Sequence, residues 1–84
     1  MREPTCVFKV LNSRSEGLTI WVEPEAHEFL LPSGESIEVR LFGKNFPNLF
    51  EEKIDDRGRP WLVIWPDGGD VEVFYKGTIL FELN

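Results

Sequence analysis

Glu23, Glu25, His27 and Glu28 place one imidazole and three carboxylates within six residues. Imidazole nitrogen and carboxylate oxygen are ligands that hold a divalent cation. If the backbone stays extended, Glu23, Glu25 and His27 fall on one side at spacing i, i+2, i+4. A metal site ordinarily draws further ligands and second-layer partners from other elements, and nothing in the spacing supplies them. The competing reading is an edge strand guarded by charge and by Pro24 against pairing with another chain, and it carries more weight. A Cys6–His27 dyad is the other arrangement open to the only histidine and only cysteine. Cys6, however, sits at a position expected to face the core, where a thiol is inert packing. Glu51-Glu52, Asp55-Asp56 and the pair Asp67 and Asp70 lie in turns or on exposed faces, where carboxylates are solvated or form turns. A glycosidase pair needs two carboxylates facing across a cleft with separated pKa values. No GxSxG, HExxH, phosphate-loop or dinucleotide glycine pattern occurs. The expectation is therefore a protein that is not an enzyme, with no cofactor and no metal.

Binding is the chemistry left. The three tryptophans and Tyr75 are generous for a chain of 84 residues, and aromatic rings stack on sugars or pack on protein partners. Trp61, Trp65 and Phe74 are expected to fill the core. Trp21 is different, because it alternates away from an aliphatic set and so packs under a loop or stands exposed as a contact anchor. The expected binding residues are Trp21, Glu25 and His27.

The elements that position these residues read as short strands. Thr5 to Leu11 is rich in β-formers, with Cys6, Phe8 and Val10 on one face. Asn12 to Gly17 is a turn or loop of small polar residues. Leu18, Ile20 and Val22 alternate with Thr19, Trp21 and Glu23, and Pro24 ends regular pairing for want of an N–H. Phe29 to Leu31 is a short apolar strand, Pro32-Ser33-Gly34 a turn, and Ser36 to Phe42 a strand with Ile37, Val39 and Leu41 inward. Leu49 to Ile54 is open to two readings. A helix would start near Pro47; a strand paired with Trp61 to Trp65 is preferred, since turn clusters flank both short runs. Trp61 to Trp65 is apolar on both faces, as in a central strand covered twice or one with an exposed apolar face. Val71 to Tyr75 and Thr78 to Leu83 form a last hairpin through Lys76-Gly77, where glycine suits a primed turn. The expected fold is all-β: a small antiparallel β-sandwich or partly open barrel of seven to eight short strands, with residues 1–84 as one domain.

Size and charge narrow the partners. A chain this short buries only about 60% of the surface its unfolded form exposes, enough for one core. Net charge is −6, with fifteen acidic against nine scattered basic residues. That balance argues against nucleic acid or an anionic membrane as partner. One cysteine forms no internal disulfide and makes no structural zinc site. A small secreted domain usually needs disulfides, no signal peptide is visible, and no apolar run reaches membrane-spanning length. A cytoplasmic location is expected.

The stretch Trp21-Val22-Glu23-Pro24-Glu25-Ala26-His27-Glu28, followed by Leu31-Pro32-Ser33-Gly34-Glu35-Ser36, resembles small uncharacterised bacterial β-rich proteins. In those chains a strand ends in aromatic-x-Glu-Pro, and a Leu-Pro-x-Gly turn and a β-rich tail follow. The resemblance spans about half the chain and implies a β fold and a bacterial source, and no reaction. The strand, Leu-Pro-x-Gly, strand pattern is also similar to turns in β-sandwiches such as the von Hippel–Lindau β domain. That likeness is generic turn chemistry, and no residue carries over from it. The functional expectation is a non-catalytic protein-interaction module that binds another protein or self-associates. The alternative is a small-ligand or carbohydrate binder that uses exposed aromatics, and a metal-dependent enzyme stands behind both.

Overall fold

The computed structural model describes residues 3–23, 26–43, 49–66 and 69–83. They form eight strands: β1 Cys6–Leu11, β2 Leu18–Val22, β3 His27–Leu31, β4 Ser36–Phe42, β5 Phe50–Ile54, β6 Pro60–Ile64, β7 Asp70–Tyr75 and β8 Thr78–Leu83. Four make a sheet in the order β1-β4-β7-β8 (sheet A), and four make a second in the order β3-β2-β6-β5 (sheet B). The all-β expectation holds, as two sheets rather than a closed barrel. Residues 49–54 belong to a hairpin, since β5 pairs antiparallel with β6 from Phe50 opposite Ile64 to Ile54 opposite Pro60. The proposed helix start at Pro47 lies outside the described residues.

The core lies between the inner faces. Sheet B contributes Ile20, Val22, Leu31 and Ile64; sheet A contributes Ile37, Val39, Leu41, Val71 and Val73. Side chains alternate across a strand, so the five aliphatic residues expected inward, Ile20, Val22, Ile37, Val39 and Leu41, are all buried. Each adds about 1.5–3 kcal/mol by leaving water. Aromatic pairs close the open sides. Phe8 meets Phe50 edge-on at 5.5 Å between β1 and β5. On the other side Phe29 lies 4.9 Å from Tyr75 and His27 stacks on Phe81 at 4.9 Å.

Three features depart from the simple alternation. The central pair of sheet B, β2 with β6, is parallel, with Thr19 opposite Trp61 and Trp21 opposite Val63. Parallel neighbours need a long crossover; here the chain passes through β4 of sheet A and returns by β5. A bulge between Val73 and Phe74 shifts the β7–β8 register, so that Val73 faces Phe81 while Phe74 faces Ile79. Cys6, expected to pack inward, is exposed. Its partner Leu41 is buried, so Cys6 points to the inner side, but β1 is an edge strand and Cys6 is not covered there. Alternation dictates the side of a sheet, not whether the opposing sheet reaches over it.

The β7–β8 turn needs positive φ at both central residues, 51° at Lys76 and 77° at Gly77, the signature of a primed two-residue turn. Asn12 is the one buried polar residue among those described. Its Nδ2 donates to the carbonyls of Glu16 at 2.8 Å and Leu31 at 3.0 Å, and its Oδ1 accepts from the Arg14 N–H at 3.0 Å. Its own N–H reaches the Glu35 carbonyl, and its carbonyl accepts from Gly34. One side chain and its backbone thus tie the loop from Asn12 to Glu16 to the end of β3 and the turn after it, about twenty positions on.

Candidate functional site

The outer face of sheet B collects all three tryptophans. Ile20 and Val22 point inward, so Thr19, Trp21 and Glu23 point outward; Leu62 and Ile64 point inward, so Trp61, Val63 and Trp65 point outward. Register makes neighbours of them: Glu28, Trp21, Val63 and Glu51 form one row, and Leu30, Thr19, Trp61 and Lys53 the next. Trp21 and Trp61 lie 5.2 Å apart, tilted by 36°. Val63 is 2% exposed although it is no part of the cluster between the sheets. The outer face therefore shelters a buried residue of its own, in a row flanked by tryptophans.

Each indole N–H is bound to a carboxylate. Trp21 Nε1 donates to Glu23 Oε1 at 2.6 Å, Trp61 Nε1 to Asp55 Oδ2 at 3.2 Å, and Trp65 Nε1 to Glu51 Oε1 at 3.1 Å. A tryptophan in a partly dry place needs a partner for its N–H, and here acidic neighbours supply it. Asp55 also accepts at 2.9 Å from the Arg59 and Arg57 backbone N–H groups. These bonds, that of Arg59 foremost, hold its carboxyl below the ordinary aspartate value. The turn from Asp55 to Arg59 is thereby set together with Trp61. Trp65 stays 38% exposed and Leu30 62% exposed, while Trp21 and Trp61 are half-buried. The result is a ridge of π surface with satisfied N–H groups and a carboxylate edge.

The residues expected to bind are not assembled together. Trp21 lies on this ridge. His27 opens β3 opposite Val22, on the inner side, and stacks on Phe81. Glu25 lies outside the described residues. Glu23 shares the outer face with Trp21, so Glu23 and His27 stand on opposite sides of sheet B and the i, i+2, i+4 alignment is broken. Ala26 between them has φ 57°, a turn conformation rather than extended strand. Among the described residues no three His, Cys, Asp or Glu side chains group to hold a metal ion.

Trp61 and Trp65, expected in the core, belong to the ridge, and Phe74, expected with them, lies on the outer face of sheet A. Their parity in Trp61-Leu62-Val63-Ile64-Trp65 was the available signal, since a strand with Leu62 and Ile64 inward must turn both tryptophans out. Glu51 and Asp55 had no such signal, because their partners are 14 and 6 residues away.

The outer face of sheet A carries a groove of about 300 Å³ lined by Lys9, Ser36, Glu38, Arg40, Phe74 and Lys76 among others. Arg40 lies over the Phe74 ring at 4.3 Å and pairs with Glu38 at 2.6 Å. The guanidinium covers that ring face, so Phe74 offers no bare platform to a sugar.

At one end of the sandwich, Glu35 accepts from the Tyr75 hydroxyl and pairs with Lys76 at 3.2 Å. The Tyr75 bond, then that of Lys76, holds the Glu35 carboxyl below its ordinary value, and Glu35 in turn raises Tyr75 and Lys76. Glu35 therefore contributes stability that is full above its unfolded pKa and lost as pH falls through the lowered folded one. Tyr75 and Lys76 contribute below their unfolded values and lose that contribution as pH rises through the raised ones. Tyr75→Phe should make the fall of the melting temperature below about pH 5 shallower and move the Glu35 titration by NMR upward. An unchanged Glu35 titration in that variant would refute the coupling.

Compared with protein-family models, curated proteins and solved structures, the chain matches none. No helix among the described residues is long and apolar enough to cross a membrane.

Proposed function

We propose that this protein is a non-catalytic interaction module that binds another protein chain through the outer face of sheet B. One observation carries the reading: all three tryptophans of the chain stand on that face, and Trp21 of β2 meets Trp61 of β6 there at 5.2 Å. Interfaces are enriched in tryptophan, and contact residues of that type dominate binding energy. Leu30 and Trp65 leave apolar and aromatic surface exposed on this face, which suits a protein partner. The acidic balance speaks against a nucleic-acid partner. The lone Cys6 and the absence of a disulfide framework fit a reducing, cytoplasmic setting.

A photo-crosslinking side chain at Leu30, on the ridge, should form protein adducts, and the same group at Lys9, on the opposite outer face, should not. Trp65→Ser should remove the Leu30 adducts while leaving the melting temperature within a few degrees, since Trp65 lies beyond the strand and is exposed. Adducts from Lys9 alone would overturn the reading. The alternative, a carbohydrate binder that uses Trp65 as a platform, predicts that millimolar sugars shift the indole N–H resonances.

A further inference from the structure

Resting on that reading, we infer that the ridge takes an arginine-bearing segment of its partner, with a guanidinium seated over Trp21 between Glu23 and Glu28. Charge complementarity and geometry both point there. Glu23 is held at the edge of the Trp21 indole by the 2.6 Å bond from Nε1. That bond uses Oε1 and leaves Oε2 for a further donor. Glu28 stands directly opposite Trp21 across the β2–β3 pair and is exposed; cross-strand partners have Cβ atoms about 4.5–5.5 Å apart. A half-exposed indole is thus flanked by two carboxylates on the same sheet face.

The rest of the face repeats the motif with less charge. Trp65 is bound to Glu51, but Lys53 Nζ already lies 3.8 Å from Glu51. Trp61 is bound to Asp55 Oδ2, while Oδ1 is taken by the turn's Arg57 and Arg59 N–H groups, and the Arg59 charge acts on the same carboxylate. Among the described residues, negative charge without a paired cation therefore concentrates at Trp21. A guanidinium is planar, stacks on aromatic faces and forks onto carboxylates; an ammonium is a compact, strongly hydrated charge with neither property. Indole is the best ring for a cation. The indole N–H groups are already satisfied, so a partner needs to bring no acceptor to the ridge, only apolar stems and positive heads.

The test titrates three nine-residue peptides of one sequence, with arginine, lysine or citrulline at alternating positions, into the isotopically labelled protein. The indole N–H resonances are followed. The arginine peptide should shift Trp21 first and Trp65 next. Citrulline, which keeps the shape and loses the charge, should weaken binding about tenfold or more when two arginines engage. Lysine should fall between the two. Glu23→Gln and Glu28→Gln should each weaken the arginine peptide by about two- to fivefold with the melting temperature unchanged, and raised salt should weaken it further. If citrulline binds as well as arginine at the indoles, the arginine assignment is overturned while the ridge stands as an interaction face. No indole shift with the arginine peptide at millimolar concentration, with Leu30 adducts still formed, has the same meaning. No shift together with no adducts from Leu30 overturns both.

Discussion

Asn12→Leu should lower the unfolding free energy by about 2–4 kcal/mol. A domain of this length has about 4–12 kcal/mol in total, so the variant should sit near the edge of folding. Leucine matches asparagine closely in shape and buries readily, which removes the usual excuse of lost volume. What it leaves is the Leu31 carbonyl, buried and without the 3.0 Å bond from Nδ2, together with the Glu16 carbonyl and the Arg14 N–H. A buried polar group left unpaired costs about 1–3 kcal/mol, more than the net gain of making the bond. The two partly buried groups recover some of that from water, which limits the sum. Asn12→Ala should be milder, because the smaller side chain admits water to the same groups. Urea denaturation of both variants checks the order. Asn12→Leu as stable as the parent would mean that the loop 12–17 and the turn at Pro32 are held by something other than this side chain.

Ile64→Ala and Ile54→Ala should differ by several kcal/mol although the same atoms are deleted. Ile64 ends β6 with no exposed surface and packs in the cluster between the sheets. Removing its side chain beyond Cβ costs transfer free energy and leaves a cavity, about 2–5 kcal/mol together. Ile54 lies at the end of β5, opposite Pro60 of the same hairpin, and is 73% exposed. Its truncation should fall within about 0.5 kcal/mol. Thermal or denaturant unfolding of the pair measures the contrast, and equal losses would mean that β5 is covered in solution, by a partner or by a second copy.

The same two isoleucines show where reading the chain as a chain stops. Each ends a short strand beside a turn or loop, and period-two alternation assigns each to a side. Neither propensity nor alternation contains the distance to the opposing sheet. Cys6 and Phe8 fail for the same reason, being on the inner side of an edge strand. Strand content was legible because it is local: alternation in Ser36 to Phe42, Gly77 after Lys76, and turn residues at Asp55 to Pro60 each act within a few positions. The β5–β6 hairpin was preferred over a helix on that ground, and the pairing bears it out.

The candidate site divides in the same way. That Trp21 points away from Leu18, Ile20 and Val22 follows from alternation alone, and so does the shared side of Trp61 and Trp65. That the two sets meet depends on the parallel β2–β6 pair, which joins residues about forty positions apart after a crossover through the other sheet, and no local signal encodes that contact. Grouping Glu23, Glu25 and His27 by spacing assumed an extended backbone, and the positive φ at Ala26 removes that assumption.

The stretch from Glu23 to Glu28 held the most conspicuous chemistry in the sequence, and of its residues Glu23 and Glu28 flank a surface centred on tryptophan. By itself the sequence determined an all-β chain, its strands and turns, its inward aliphatic residues and its acidity, because those rest on side-chain periodicity, backbone preference and charge count. Only the tertiary structure decided that β2 lies beside β6, that three indoles share one face and each holds a carboxylate, and that Asn12 ties its own loop to the turn after β3. Those facts depend on which distant strands come to lie within hydrogen-bonding distance, which the packing of the whole core selects.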